Sequence, residues 1–360
     1  MKSSSTGGAT MSASTTFAIG NRQIGPGQPV FVIAEVGVNH HGDVALCARL
    51  IEAAAASGAD AVKLQTIDAE ESYVPGTASY AEFRDKSLDD AAMQQMVALA
   101  ERLGIILFST PGDFASLDRM CRLGMPAVKV SSGLMTNQPL ITEAARRGLP
   151  MIISTGLAYE EEIALAIATA QQHGSPGIAV LKCTALYPAP DETINLKGMQ
   201  SLAQRFGLPV GYSDHTLDDL ACLSAVALGA TVIEKHFTLD KHLAGADHFI
   251  SMEPGEFSQM VARIRRLSVM LGDGRIVPVP AEEAVRAQRH RCLIAREPIA
   301  AGDVFSADNV GLKRPLPGAA GLPPSSYESV LGKTARLAIA LDQPICADDV
   351  MDFASPGVSA

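Results

Sequence analysis

The chain has 360 residues, of which 47% are hydrophobic and 19% are charged, and its formal net charge at pH 7 is −10. This composition is typical of a well-packed globular protein and excludes a largely disordered chain. The excess of negative charge disfavours nucleic acid as a partner, because phosphate backbones are bound by clustered Lys and Arg. The length favours one large domain followed by a small one.

The cysteines and the amino terminus indicate a cytoplasmic protein. The six cysteines are scattered, without any C-x-x-C pair, which fits reduced thiols. Residues 1–16 are mostly Ser, Thr, Gly and Ala and lack the apolar core of a secretory signal, so we expect a disordered tail there. No run approaches the roughly 18 apolar residues that span a bilayer, so we expect no membrane role.

Short apolar or β-branched runs recur along the chain and alternate with amphipathic stretches, a pattern that predicts repeated strand and helix units. The eight predicted strands span residues 31–36, 61–65, 105–109, 127–131, 151–154, 178–183, 209–212 and 231–235. The predicted helices span residues 44–57, 88–103, 114–123, 137–147, 160–172, 196–206, 217–228 and 255–270.

This alternation favours an α/β fold, a (β/α)8 TIM barrel over residues 17–272. An open doubly wound sheet is also compatible with the alternation. Residues 273–290 are rich in Gly, Pro and polar side chains and are predicted to be a linker. Residues 291–353 combine Gly, Pro and short apolar pairs, which predicts a small module of short strands and turns. A short tail, residues 354–360, follows.

Polar residues end every predicted strand, at the point where a parallel barrel builds its active site. Alternation along a strand places Lys63 with Gln65, Ser213 with His215, and Glu234 with His236 on shared faces. The other polar residues of this kind include Glu35, Thr110, Lys129, Ser132, Ser154, Lys182, Tyr187 and Lys235.

Four lysines, Lys63, Lys129, Lys182 and Lys235, lie in otherwise apolar runs. Burying a lysine is costly unless it is paired, so two of them could hold the phosphate and carboxylate of an anionic ligand, or each could pair with a carboxylate such as Glu234. Lys182 or Lys235 could instead form a Schiff base.

Two histidines end the last two predicted strands. His215 and His236 are adjacent in a barrel and could bind one divalent ion, or could be merely hydrogen-bonded.

Motifs spread over the barrel resemble those of the sialic acid synthases, and the tail resembles their antifreeze-like (SAF) domain, a small mostly-β (β-clip) module with Lys313, Arg314 and Pro315 in its basic loop. The resemblance covers residues 18–352. The motifs lie at residues 33–40, 62–65, 108–111, 181–184, 187–188, 211–216, 234–237, 247–248 and 251–254.

The resemblance implies an enzyme that condenses phosphoenolpyruvate (PEP) with an N-acylated hexose aldehyde to give a nonulosonic acid and phosphate. It implies Mn2+ or Mg2+ on His215 and His236 and an acid/base or orienting role for Glu35. It also implies a domain-swapped homodimer in which Arg314 reaches the partner's site. PEP would be held by Lys63, Thr110, Lys129, Ser132, Ser154 and Ser213, and the sugar by Gln65, Tyr187, Asp247 and Arg314.

Three departures from the family pattern bear on this interpretation. Leu134 stands where the family usually has Glu, Ala185 where Ser or Asn is usual, and the loop from residue 67 to 86 is shorter. A synthase acting on a smaller or differently substituted aldehyde is therefore an alternative, and a catalytically impaired binding or regulatory protein is another. Ice binding by the tail is disfavoured by its basic loop.

Overall fold

A small hairpin and a closed barrel make up the first part of the chain in the computed structural model, which describes residues 16–245 and 247–354. The hairpin pairs β1 (Phe17–Ile19) with β2 (Arg22–Ile24) in antiparallel fashion. The barrel strands are β3 (Phe31–Gly37), β4 (Ala61–Thr66), β5 (Ile106–Pro111), β6 (Val128–Val130), β7 (Met151–Ser154), β8 (Ile178–Cys183), β9 (Val210–Asp214) and β10 (Val232–His236).

The barrel strands are all parallel, and β10 pairs with β3 to close the ring. The predicted barrel is therefore confirmed and the open doubly wound sheet is wrong. Residues 1–15 of the predicted disordered tail, and residues 355–360 of the terminal tail, lie outside the described residues.

Helices follow the strands, and several of them begin where the sequence supplies a capping side chain. The side chains of Asp43, Asp89 and Asp113 each accept a hydrogen bond from a backbone N–H in the first turn of the following helix. The helices are α1 (Val44–Ala56), α2 (Ala69–Ser72), α3 (Ala78–Phe83), α4 (Asp90–Leu103), α5 (Phe114–Arg122), α6 (Gln138–Arg146), α7 (Glu160–Gln172), α8 (Asp191–Ile194), α9 (Lys197–Phe206), α10 (Leu220–Ala227), α11 (Pro254–Leu271), α12 (Pro280–Arg289) and α13 (Tyr327–Val330).

Two apolar layers hold the barrel together. One lies between strands and helices, and the other fills the inside of the barrel, where Phe108 and Leu181 pack with Phe17 and Ile24 of the hairpin. The hairpin thus closes the amino-terminal end of the barrel and leaves the opposite end open. Asp60, just before β4, ties the hairpin down by an ion pair with Arg22.

The described residues up to Asp273 form one compact unit and those from Gly274 form a second. The predicted linker, residues 273–290, contains helix α12. In the second unit β11 (Cys292–Ala295) pairs with β12 (Val310–Lys313), and Ile299 and Ile339 exchange backbone hydrogen bonds of 2.9 and 2.8 Å. The predicted small module of strands and turns is confirmed. Within the described ranges, no helix has the length and apolar character needed to cross a membrane.

Candidate active site

The polar residues at the carboxyl ends of the barrel strands converge on one cavity of about 300 Å3. They meet there because alternate residues of each strand face the barrel interior. The predicted residues that line this cavity are Glu35, Lys63, Gln65, Thr110, Lys129, Ser132, Ser154, Tyr187, Ser213, His215 and His236.

Lys63 is buried among groups that keep its ammonium charged. Its Nζ lies 2.9 Å from Glu35 Oε2 and 3.8 Å from Glu234 Oε2, and it donates a hydrogen bond of 3.2 Å to Thr110 Oγ1. Although burial favours the neutral amine, the charges of Glu234 and Glu35 raise the pKa of Lys63 above its usual value.

Lys129 provides the second buried ammonium of the cavity. Its Nζ donates a 2.7 Å hydrogen bond to Ser154 Oγ and lies 3.4 Å from Glu234 Oε1. Ser213 Oγ donates to the same Glu234 oxygen at 2.9 Å. Burial lowers the pKa of Lys129, so an additional anion beside it would stabilise its charged form.

The pKa values of the two carboxylates in this cluster are shifted in opposite directions. Although burial opposes it, Lys129 and Lys63 lower the pKa of Glu234. For Glu35 burial dominates, and its pKa is raised to about 7. Glu35 can therefore gain or lose a proton near neutral pH, and with Glu35 protonated the cluster carries two ammonium groups against one carboxylate. This arrangement suits an anionic ligand.

His215 and His236 face each other across the mouths of β9 and β10, with ring centroids 5.3 Å apart. His215 Nδ1 lies 2.7 Å from the carbonyl oxygen of Thr184, so its Nε2 is available to a ligand. Burial, and then the charge of His215, hold the pKa of His236 well below its usual value. A neutral imidazole is the form that binds a metal ion.

Two of the four residues predicted to contact a sugar lie beside this pair. Tyr187 stacks on His215 with ring centroids 4.1 Å apart, and Asp247 Oδ2 lies 3.6 Å from His236 Nδ1. Gln65 Nε2 donates a 3.0 Å hydrogen bond to Glu35 Oε1. Arg314 is exposed on the second unit, directly after β12.

The structure corrects the interpretation of the other two lysines, neither of which lines the cavity. Lys235 Nζ lies 2.6 Å from Asp214 Oδ2 and is fully buried. Lys182 donates to the carbonyl oxygen of Cys183 at 2.8 Å. Its alkyl chain lies beside Gly198 of α9. A Schiff base on either lysine is therefore excluded from this cavity.

Sequence reasoning missed several residues of the cavity. Glu234, predicted to share a strand face with His236, does line the cavity, but the sequence assigned it no role beyond pairing with the lysines. Cys183, Ile67, Tyr73, Phe83 and Leu157 also line the cavity. The last four lie beyond the strands, Phe83 at the end of α3 and the others in loops, and the strand pattern does not predict the course of these segments.

The two substituted positions differ in their surroundings. Leu134 packs against the hydrophobic layer between strands and helices, and it is not among the residues that line the cavity. Ala185 does line it, beside Gly156 and Ser132. The first substitution therefore lies outside the cavity wall, and the second makes one part of that wall apolar.

Comparison with known proteins identifies the family of the chain. The profile of the NeuB family matches residues 50–276, and that of the SAF domain matches residues 290–351. The N,N'-diacetyllegionaminic acid synthases of Campylobacter jejuni and Legionella pneumophila are 40% and 39% identical to the chain, over 84% and 86% of its length and 95% and 91% of theirs.

A solved structure agrees with these sequence matches. The N-acetylneuraminic acid synthetase of Leptospira borgpetersenii, crystallised with citrate, is 34% identical and superposes with a TM-score of 0.73 over 77% of this chain and 96% of that chain. The predicted relationship to the sialic acid synthases, and the predicted SAF domain, are confirmed. The chain belongs to the NeuB family.

Proposed function

We propose that the protein condenses PEP with an N-acylated hexose aldehyde and water to give a nonulosonic acid and phosphate. The observation that carries this proposal is the pair of buried ammonium groups, Lys63 and Lys129, at the bottom of a cavity whose rim holds two histidines. The names of the relatives favour an acceptor with two acetamido groups, and N-acetylmannosamine is the alternative.

The cluster of lysines and hydroxyls matches the chemistry of PEP. A phosphate and a carboxylate need several N–H and O–H donors close together. Lys63 and Lys129 supply the charge, and Thr110 and Ser154, which now accept hydrogen bonds from these lysines, can turn their hydroxyls to the ligand. Ser132 and Ser213, which also line the cavity, complete the proposed donor set.

His215 and His236 fit a divalent ion, for which we propose Mn2+ or Mg2+. His236 Nδ1 is buried and has no hydrogen-bond partner in the described part of the chain, so a ligand at this nitrogen would satisfy it. Among the described residues, no group of three His, Cys, Asp or Glu side chains is arranged to hold an ion. Substrate or water oxygens would therefore complete the shell. A bound ion would polarise the aldehyde carbonyl.

In the proposed reaction the enol carbon of PEP forms a bond to the aldehyde carbon, whose oxygen takes up a proton. Water then adds to the carbon that bears the phosphate, and one of its protons replaces the proton given to the aldehyde oxygen. The C–O bond to phosphate breaks, the keto group forms, and the second proton leaves with the phosphate. We propose that Glu35 orients the acceptor and holds the transferred proton, since its pKa of about 7 allows both protonation states. Gln65, hydrogen-bonded to Glu35, would set its orientation.

Tyr187, Asp247 and Arg314 are proposed to bind the sugar, the first two from the rim of the barrel. For Arg314 the proposal rests on the resemblance of the tail to the family, and it includes a swapped homodimer in the cytoplasm. The domain boundaries given above, with a linker at residues 273–290, remain predictions.

The test is phosphate release from PEP, measured with Mn2+ and with Mg2+ across aldoses that include N-acetylmannosamine and diacetamido hexoses. We expect release that depends on one class of acceptor and stops in the Lys129→Met variant. Binding of PEP without release from any sugar would support the catalytically impaired alternative. Release with only a short aldehyde would instead support a synthase for a smaller acceptor.

A further inference from the structure

The cavity has two chemically different parts. Its inner part is built from strand residues such as Lys63 and Lys129 and is strongly polar. The other part is apolar and comes from loops: Ile67, Tyr73 and Phe83 follow β4, and Leu157 follows β7. The proposed reaction uses the polar part, but it assigns nothing to the apolar wall.

The loop that carries Tyr73 and Phe83 is held in place at its base. Ser87 Oγ donates a 2.9 Å hydrogen bond to the Ile67 carbonyl, and the backbone N–H of Asp68 donates at 3.0 Å to Asp113 Oδ2. Between these ends, α2 and α3 present the two aromatic residues at their carboxyl termini. The rings stack with centroids 5.4 Å apart and planes inclined by 28°, so they form one continuous apolar surface.

Leu157, which follows β7, is another apolar residue of the same cavity, and its conformation is a separate sign that the apolar lining contacts a ligand. It is 78% exposed and its backbone φ is +65°. A left-handed conformation is unfavourable for a residue with a bulky side chain, and exposure of a large apolar group to water gains nothing. Burial of this side chain by a bound molecule would offset both costs.

The position of the wall decides which substrate it meets. PEP, held on the strands, occupies the inner part of the cavity. The acceptor must approach the enol carbon from the open end, so its substituents reach the loops that follow the strands. A methyl group that packs against stacked aromatic rings is stabilised by its burial. A hydroxyl group in the same place would lose its hydrogen bonds to water.

We infer that Tyr73 and Phe83 are specificity-determining residues that bind the N-acyl methyl group of the acceptor and select N-acetylated over N-hydroxyacylated hexoses. This inference rests on the proposed function, since it concerns the same cavity and the same reaction. It adds a discrimination that the polar residues of the cavity do not provide.

The test compares matched acceptors that differ by one hydroxyl. For N-acetylmannosamine and a diacetamido hexose, each with its N-glycolyl counterpart, we would measure kcat/KM in the native enzyme and in Tyr73→Ala and Phe83→Ala. We expect the native enzyme to prefer the N-acetyl sugar by about tenfold, the scale on which an apolar pocket discriminates. In both variants the ratio should fall towards one, mainly through KM for the N-acetyl sugar.

Two controls separate selectivity from damage to the fold. Val74→Ala changes an exposed apolar residue next to Tyr73 that does not line the cavity, and it should leave the ratio unchanged. Tyr73→Phe keeps the aromatic ring and should therefore keep the native ratio of kcat/KM values. The dissociation constant of PEP, measured by calorimetry, should be the same in all variants, because PEP binds in the inner part.

An unchanged ratio in Tyr73→Ala and Phe83→Ala, with PEP binding intact, would overturn the inference and leave the synthase proposal standing. A native enzyme that prefers the N-glycolyl sugar would also overturn it. Failure of the native enzyme to release phosphate with any sugar would refute the synthase proposal itself, and the selectivity inference with it.

Discussion

Lys235 Nζ lies 2.6 Å from Asp214 Oδ2, and both side chains are almost completely buried on the outer face of the barrel. The same ammonium also donates to the carbonyl oxygens of Thr216 and Asp218. It therefore holds both sides of the segment that carries His215. A buried ion pair is costly to break, because the remaining charge has no partner.

We predict that Lys235→Met lowers the free energy of unfolding by about 3–5 kcal/mol, since it leaves the Asp214 carboxylate buried and unpaired. Denaturant unfolding would measure the loss. Adding Asp214→Asn to this variant should recover part of it, because the amide is uncharged and its oxygen can still accept from the Thr216 N–H. Arg263→Met is a matched control: its pair with Asp219 lies at the surface and should matter by less than about 1 kcal/mol. A loss no larger than that of the control would contradict the prediction.

The orientation of the Lys235 side chain could have been predicted from the alternation of side chains along a strand. Glu234 and His236 share one face of β10, so the residue between them must point the other way. Lys182 precedes Cys183, which lines the cavity, so the Lys182 side chain must also point away from the cavity. The sequence therefore contained the information that only Lys63 and Lys129 face the ligand, although composition alone made the four lysines equivalent.

Lys129→Met is predicted to weaken PEP binding and also to lower the free energy of unfolding. Its buried ammonium lies 3.4 Å from Glu234 Oε1 and donates to Ser154 Oγ, so its removal takes a cationic partner from the buried Glu234 carboxylate and should cost about 1–3 kcal/mol. PEP affinity should fall by roughly 30-fold or more, as expected when one partner of a buried charged contact is removed. Calorimetric titration with PEP and thermal unfolding would give both quantities. Unchanged PEP affinity would remove Lys129 from the binding site.

Removal of metal is predicted to stop phosphate release and to leave PEP binding in place, because the lysines and hydroxyls that hold PEP do not depend on the ion. Dialysis against a chelator followed by addition of Mn2+ or Mg2+ would test this. His236→Ala should abolish ion binding as measured directly by calorimetry, whereas His173→Ala, at the end of α7, should not. Full activity after exhaustive chelation would exclude the ion from the reaction.

Ala185→Ser is predicted to strengthen PEP binding, because it returns a hydroxyl to the cavity wall at a position that lines it. One added hydrogen bond contributes about 0.5–1.5 kcal/mol, which corresponds to a factor of roughly 2–13 in the dissociation constant. Ala189→Ser, a buried position that does not line the cavity, is the control. Weaker PEP binding in Ala185→Ser would mean that the wall at this position must be apolar for its ligand.

The barrel strands could be predicted because their apolar runs end in polar residues and alternate with helical stretches; even the three-residue β6 lies in such a run. The hairpin strands could not, since three residues such as Phe17–Ile19 do not establish a period of two and no helical stretch separates them. Tyr73 and Phe83 were missed for another reason. Their exposure to the cavity depends on how α2 and α3 fold back over the strands, and no local pattern encodes this.

The hairpin supplies the last prediction. A Cβ built on Gly177, just before β8, would lie 2.2 Å from Phe17 Cγ, so Gly177→Ala must displace the hairpin from the amino-terminal end of the barrel. We expect a loss of about 1–3 kcal/mol in the free energy of unfolding, the usual cost of overpacking. PEP affinity should be nearly unchanged, because the cavity lies at the other end. In Gly255→Ala nothing within 4 Å meets the new methyl group, and that variant should be as stable as the native protein or slightly more stable. Equal stability of the two variants would show that the hairpin does not pack against Gly177 in solution.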